Sequence, residues 1–415
     1  MFNNIQYRWN RGHAWRSAKI EGIRSFWSEE GPGGDGLWWM DVLMLLGGIR
    51  APLTSNWAQE RKIRITLQVL FAYTIYVFYV QLFEGLRENK PVSIVIMEVT
   101  KVTSISISCV RMVSLALLAK PITILRCFIT SNSVCSGDAE YDEREHRKFN
   151  QYARRSMQFF FSWIAMDTVL FSIPTEDDLF SLPRPASWIG KNAWKVVNTL
   201  FVSLIPTSVL PKTVGCTACV GVILTGMRTK LRLVAHRLEM ISKQSVSDEV
   251  QNFERVSREV REALEQHLDY LNNFKLLENM MGKVFLLVHY FSVFAVGAMF
   301  YACHEVPIGF MTLIFAAAVS FFLLEYFFLC HLVDSLQDEA DAIGHHLFDL
   351  CAQIPFIPER RSEYVQMRTT LMIIWLNTRN RVVMNCMGMF EINTPKFVAL
   401  INVAYSVLTF LIQMG

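Results

Sequence analysis

The chain has 415 residues, of which 52% are hydrophobic and only 19% charged, with a formal net charge of +3. A soluble protein of this length would be more polar, so the balance points to a polytopic membrane protein, and the small charge gives no reason to invoke nucleic acid. Of the 9 Cys, none lies in 172–195 and only Cys303 falls near the outer face, which argues against an extracellular disulfide framework.

The first 35 residues are polar and basic, without the apolar run of a cleavable signal peptide. The first spanning segment is therefore expected to serve as its own insertion signal. Residues 1–64 form a cytoplasmic N-terminus. Within it, Leu37–Leu46 (LWWMDVLMLL) is too short to span, and its two adjacent Trp favour a helix lying at the membrane interface.

Seven apolar stretches follow, at 65–83, 92–118, 152–173, 196–226, 284–303, 306–333 and 397–413. Most are long enough to cross about 30 Å of hydrocarbon as a helix. The first, Ile65–Phe83, carries no charge. The second contains Glu98, Lys101 and Arg111. Glu98 and Lys101 are three residues apart on one helical face, so they either pair inside the bundle or border a wet cavity. The third is rich in aromatics, and Asp167 is its only interior charge. The loop after it holds Thr175–Glu176–Asp177–Asp178 and several Pro, and can fold over the bundle.

The fourth stretch contains Pro206 and Pro211, each of which removes a backbone hydrogen bond and favours a bend. Cys216 and Cys219 form a C-x-x-C within it; small packing residues are the better reading than a redox or metal pair. Beyond Gly226 the helical period continues, breaks at Ser242–Glu249, and resumes through Leu276. Residues 228–283 thus read as cytoplasmic extensions of the fourth and fifth spans. Glu325 is the one interior charge of the sixth. A further amphipathic helix is expected over Glu359–Met387, and a break at Gly388 precedes the last span.

Basic residues alternate between the connections. The N-terminal 64 residues, 119–155, 228–283 and 334–394 hold 9, 7, 10 and 5 Lys/Arg; the intervening segments hold 2, 3, 0 and 0. Because positive loops stay in the cytoplasm, the N-terminus is expected inside and the C-terminus outside. That orientation is inverted relative to a rhodopsin-type receptor. The expected organisation is 1–64 N-terminus, 65–227 the first four spans, 228–283 cytoplasmic extension, 284–333 two spans, 334–394 cytoplasmic anchor helices and 397–415 a terminal span. There is no zinc-protease, nucleophile-elbow, P-loop or EF-hand motif, so no enzyme, cofactor or metal is expected.

The C-terminal part of the chain resembles the insect odorant receptors. It reads FFLCHLVDSLQDEADAIGHHLFDL, then LMIIWLNTRNRVVMNCMGMFEINTPKFVALINVAYSVLTFLIQ. The matching points are Ala340–Ile343, Gly388, Phe390, Phe397, Tyr405 and Ser406, with WWM…LLGG before the first span as a weaker match. Gustatory receptors tend to end in Thr-Tyr and a spaced Gln-Phe, whereas here Ala404 precedes Tyr405 and Met414 follows Gln413. The odorant co-receptor has a longer second cytoplasmic loop than 228–283. The resemblance is to a ligand-selective subunit.

That resemblance implies an all-α, odorant-gated, nonselective cation channel in the plasma membrane of olfactory neuron dendrites. It implies membrane lipid, a small volatile odorant and odorant co-receptor subunits as partners. The terminal span would line the pore, with Leu408, Leu411, Ile412 and Gln413 as gate and outer-mouth candidates. The odorant site would lie between the second, third, fourth and sixth spans, with Phe160, Trp163, Asp167, Ile205, Val209, Val319 and Phe322 as candidates by depth. A gustatory-type channel and a G-protein-coupled chemoreceptor are the alternatives.

Overall fold

A computed structural model describes residues 36–49, 57–88, 92–173, 180, 182, 190–244, 251–305, 309–353, 356 and 358–414. These residues are almost wholly helical: α1 Gly36–Leu46, α2 Trp57–Arg87, α3 Val92–Thr130, α4 Ala139–Ser172, α5 Lys191–Gln244, α6 Gln251–Glu305, α7 Phe310–Gln353, α8 Arg361–Arg381 and α9 Thr394–Met414. The all-α, membrane-type architecture expected from the sequence is what is found.

The helix α5 is the hub, packed against α3, α4, α6 and α7 and also touched by α1 and α2. Its central segment, Gly215–Gly226, is built from small residues, which let neighbouring backbones approach closely. A Cβ on Gly226 would come within 2.7 Å of Ile129, and one on Gly221 within 2.8 Å of Phe328. Cys216 and Cys219 are free thiols buried in this seam. α2, in contrast, packs mainly on α3 and leaves Val69, Tyr76 and Phe83 exposed.

α5 and α6 contain 54 and 55 residues, so each is about 80 Å long and reaches far beyond a bilayer. The expected helical layer is therefore continuous with the spanning helices. Ion pairs stitch it together: Arg232 on α5 reaches Glu339 on α7 at 2.6 Å and Glu145 on α4 at 3.4 Å.

Among the described residues, five helices are long and apolar enough to cross a membrane: α2, α3, α5, α6 and α7. α4 does not meet that description, because its hydrophobic part carries Arg154, Arg155 and Asp167; α9 is an apolar helix of 21 residues, Thr394–Met414. α1 is short, as expected, and packs into the bundle. Leu37, Met40 and Leu43 are fully buried, Trp39 meets Phe161 edge-on, and Asp41 pairs with Arg126 at 2.5 Å.

The amphipathic helix α8 ends at Arg381, six residues before its expected limit. The chain then makes a tight turn in which the Cys386 N–H donates to the Phe390 carbonyl at 2.8 Å. Gly388 takes φ +76°, a value that favours glycine. The turn delivers Thr394 to Asp334 of α7, whose carboxylate accepts from both the Thr394 N–H, at 3.0 Å, and the Thr394 hydroxyl.

Candidate ligand cavity

A cavity of about 170 Å³ lies among α3, α4, α5, α6 and α7, near the end of the bundle where α4 leads towards α5. Its α3 wall is polar: Thr100, Ser104 and Ser108 recur at helical spacing on one face, interrupted by Ile105. α4 contributes Asp167, Leu170 and Phe171. α5 contributes Ile205, Pro206, Val209, Leu210 and Thr213. Pro206 has no N–H to give to the preceding turn, which leaves the helix backbone less evenly bonded at the cavity wall. The α6 wall is Phe291 and Met299, and the α7 wall is Phe315, Ala318 and Phe322.

Phe78 of α2 and Phe180 of the loop after α4 complete the enclosure. Phe180 packs on Phe171 at 4.9 Å and on Phe78 at 6.1 Å. The described part of that loop thus folds onto the bundle, and the Leu182 N–H donates to Asn198 at 2.7 Å. The Thr175–Asp178 run lies outside the described residues.

Under the cavity is a buried polar network. The Ser108 and Thr213 hydroxyls are 2.6 Å apart. One turn below, Arg111 donates to the Thr213 carbonyl at 2.9 Å and pairs with Glu325 at 2.6 Å. The Thr217 hydroxyl donates to the same carboxylate oxygen at 2.5 Å. The Arg111 guanidinium also lies over the Phe291 ring, 5.5 Å from its centroid. Glu98 and Lys101 form their expected pair at 2.6 Å, and Lys101 donates to Gln81 at 2.9 Å. Pairing and cavity-lining, posed as alternatives from sequence, coexist at Lys101, because it also lines the cavity.

The seven residues named from sequence are divided by the structure. Asp167, Ile205, Val209 and Phe322 line this one cavity. Phe160 lines a different, larger hollow of about 310 Å³ between α4 and α7, with Tyr152, Phe159 and Phe328. Trp163 packs on Phe321 at 5.2 Å and lines neither space; Val319 is buried without lining either. Depth along a helix was readable from sequence, but not its rotation, and rotation separates Trp163 from Asp167. The walls from α2 and α6 were not anticipated. No local signal marks Phe291 or Met299 among the many apolar residues of α6.

On α9, Leu408 is half-buried while Ile412 and Gln413 are exposed; the Leu411 side chain lies outside the described residues. The exposed face of α9 carries Asn402, Ser406, Thr409 and Gln413, spaced by four, three and four. At its other end α9 meets α7 through Phe397, which packs on Tyr326 at 6.2 Å and Phe327 at 5.4 Å.

A family model described as 7tm Odorant receptor matches residues 90–405. The fold is similar to the insect olfactory receptor OR5 from Machilis hrabei, with a TM-score of 0.69 at 12% identity, covering 91% of this chain and 97% of that one. It is similar also to the same receptor in complex with eugenol, with a TM-score of 0.68 at 14% identity and the same coverage. A comparison with curated protein sequences finds no match.

Proposed function

This chain belongs to the 7tm odorant receptor family, and we propose that it is a ligand-selective subunit of an odorant-gated cation channel, active with odorant co-receptor subunits in the plasma membrane of olfactory neurons. The observation that carries the ligand side is the mostly apolar, aromatic-walled cavity among five helices, with few polar groups. Its size fits one ring with a short substituent: an apolar cavity of about 150 Å³ takes up benzene. The eugenol complex of the related receptor, a small odorant bound to the same fold, is consistent with that scale.

In this reading all seven hydrophobic segments span, with the N-terminus in the cytoplasm, and the 31 basic residues of the N-terminal 64 residues, 119–155, 228–283 and 334–394 support that orientation. α9 lines a central pore. Its polar stripe Asn402–Ser406–Thr409–Gln413 is suited to water. Leu408 and Ile412 beside it supply an apolar ring that closes by dewetting. α8 leaves Val365, Met372, Ile373 and Leu376 exposed, an apolar face suited to holding subunits together.

Coupling runs through α7. Phe322 touches the ligand space, Tyr326 one turn on packs against Phe397, and Asp334 binds the first turn of α9. A ligand that favours one position of α7 thereby favours one position of α9; it shifts gating only through such differential binding.

A panel of volatile ligands applied to cells expressing the chain with and without the co-receptor tests the proposal. Ligand-evoked cation current only in the co-expressing cells is expected. A response carried by a G protein with no ligand-gated conductance would overturn it.

A further inference from the structure

We propose that Asp167 is the ligand-selecting residue of this cavity and that the cavity prefers small protonated amines. The inference rests on the reading of the cavity as the odorant site. Several charges lie in this part of the bundle, and all but two have a partner of opposite sign. Lys101, which lines the cavity, is 2.6 Å from Glu98. Arg111 beneath the floor is 2.6 Å from Glu325. Lys212 donates to the Ser208 carbonyl at 2.7 Å and sits over the Phe71 ring; it does not line the cavity. Asp167 does line it, and has no ionic or hydrogen-bonding partner among the described residues.

Counting only groups at the cavity wall and their direct partners, Glu98 cancels Lys101 and the Asp167 carboxylate is left over. An ionisable group inside a membrane bundle is costly unless something answers it. Here no answering group is found among the described residues, and there is open space beside the carboxylate. The remaining wall is aromatic, with Phe171, Phe180, Phe291, Phe315 and Phe322. Aromatic faces attract an ammonium group, more strongly where water is excluded. A carboxylate and several rings around one ring-sized space form a receptor for an arylalkyl or alkyl ammonium ion. The hydroxyls of Ser104, Ser108 and Thr213 are less selective, because each already bonds within the bundle or accepts from any donor. A neutral isostere would fill the same space and leave the carboxylate unanswered, so the discrimination lies in charge rather than shape.

The test is equilibrium binding to the purified full chain in lipid nanodiscs, using benzylamine, benzyl alcohol and toluene as probes of nearly one shape. Benzylamine should bind about tenfold or more tighter than either neutral probe, a preference of one decade in Kd. Asp167→Asn should abolish that preference while benzyl alcohol affinity moves by no more than about twofold, as expected for removal of a charge-specific term. Retained benzyl alcohol binding shows that the variant is folded; if Asp167→Asn is not recovered, Asp167→Ser serves in its place. Equal affinity for the three probes in the unmodified chain, or a benzylamine preference that survives both variants, overturns the assignment. A cavity-filling Ile205→Trp variant separates this from the broader reading. If it abolishes binding of neutral probes, the cavity is the site whatever the role of Asp167. If all probes bind Ile205→Trp as before, or none binds the unmodified chain, the cavity reading fails and the amine preference with it.

Discussion

Two acidic side chains sit in the same region of the bundle under opposite conditions. Glu325 is buried and answered within the chain: Arg111 and Thr217 both donate to its Oε1. Asp167 faces open space, with no partner among the described residues. The first is a closed contact between α3, α5 and α7 that fixes how those helices pack. The second is an open group whose complement must come from elsewhere. A buried charge whose partner lies in the chain is a packing element, and one whose partner is missing is a candidate for recognition.

That contrast makes its strongest prediction at the closed pair. Arg111→Met leaves the Glu325 carboxylate buried without its cation, and breaking such a pair costs about 3–5 kcal/mol. Folded, monodisperse protein should be largely lost, as read by size-exclusion profile and thermal unfolding. The double change Arg111→Met with Glu325→Leu should recover most of it, since apolar replacement of both partners is often neutral. Asp167→Asn should cost little on the same assay. If Asp167→Asn is as damaging as Arg111→Met, the distinction between the two acids collapses.

A second prediction concerns the α6–α9 seam. A Cβ on Gly297 would fall 2.6 Å from Val407 Cγ1, so α9 depends on that glycine for its approach. Gly297→Val should overpack the seam by about 1–3 kcal/mol. Resting or ligand-evoked current should change at matched surface expression, while ligand binding to the cavity is retained. Unchanged current would remove α9 from the gating account.

Asp334→Ala is expected to act in the same direction more weakly. It removes the acceptor at the start of α9, a loss of about 1 kcal/mol for a helix cap. The dose–response midpoint for a full agonist should shift while the binding isotherm in nanodiscs does not. An equal shift in both would place Asp334 in binding rather than coupling.

Much of this arrangement was legible in the sequence, for identifiable reasons. Hydropathy located the long apolar helices, and the period of three to four carried α5 and α6 on beyond their apolar parts. The Glu98–Lys101 pair was visible because both residues share one helix. The Arg111–Glu325 pair joins residues 214 apart and depends on how α3 and α7 face each other, which no local pattern encodes. The same gap explains Phe160 and Trp163. They share a helix and an aromatic character with the cavity wall, but the rotation of α4 turns them towards α7 and away from the space beside Asp167. Trp163→Ala should therefore move ligand affinity by no more than about twofold, the ~0.5 kcal/mol scale of residues that do not touch a site. A larger change, specific to certain ligands, would mean that the site extends past Phe321.

The most direct measurement is the position of a bound ligand, determined in a structure of the full chain with benzylamine or a neutral analogue. The account predicts ligand density in the space bounded by Ile105, Phe171, Phe180, Ile205 and Phe322, beneath the Phe180 ring and in contact with Asp167 for the amine. Density instead in the hollow between Tyr152, Phe159, Phe160 and Phe328, with the cavity beside Asp167 empty, would contradict it.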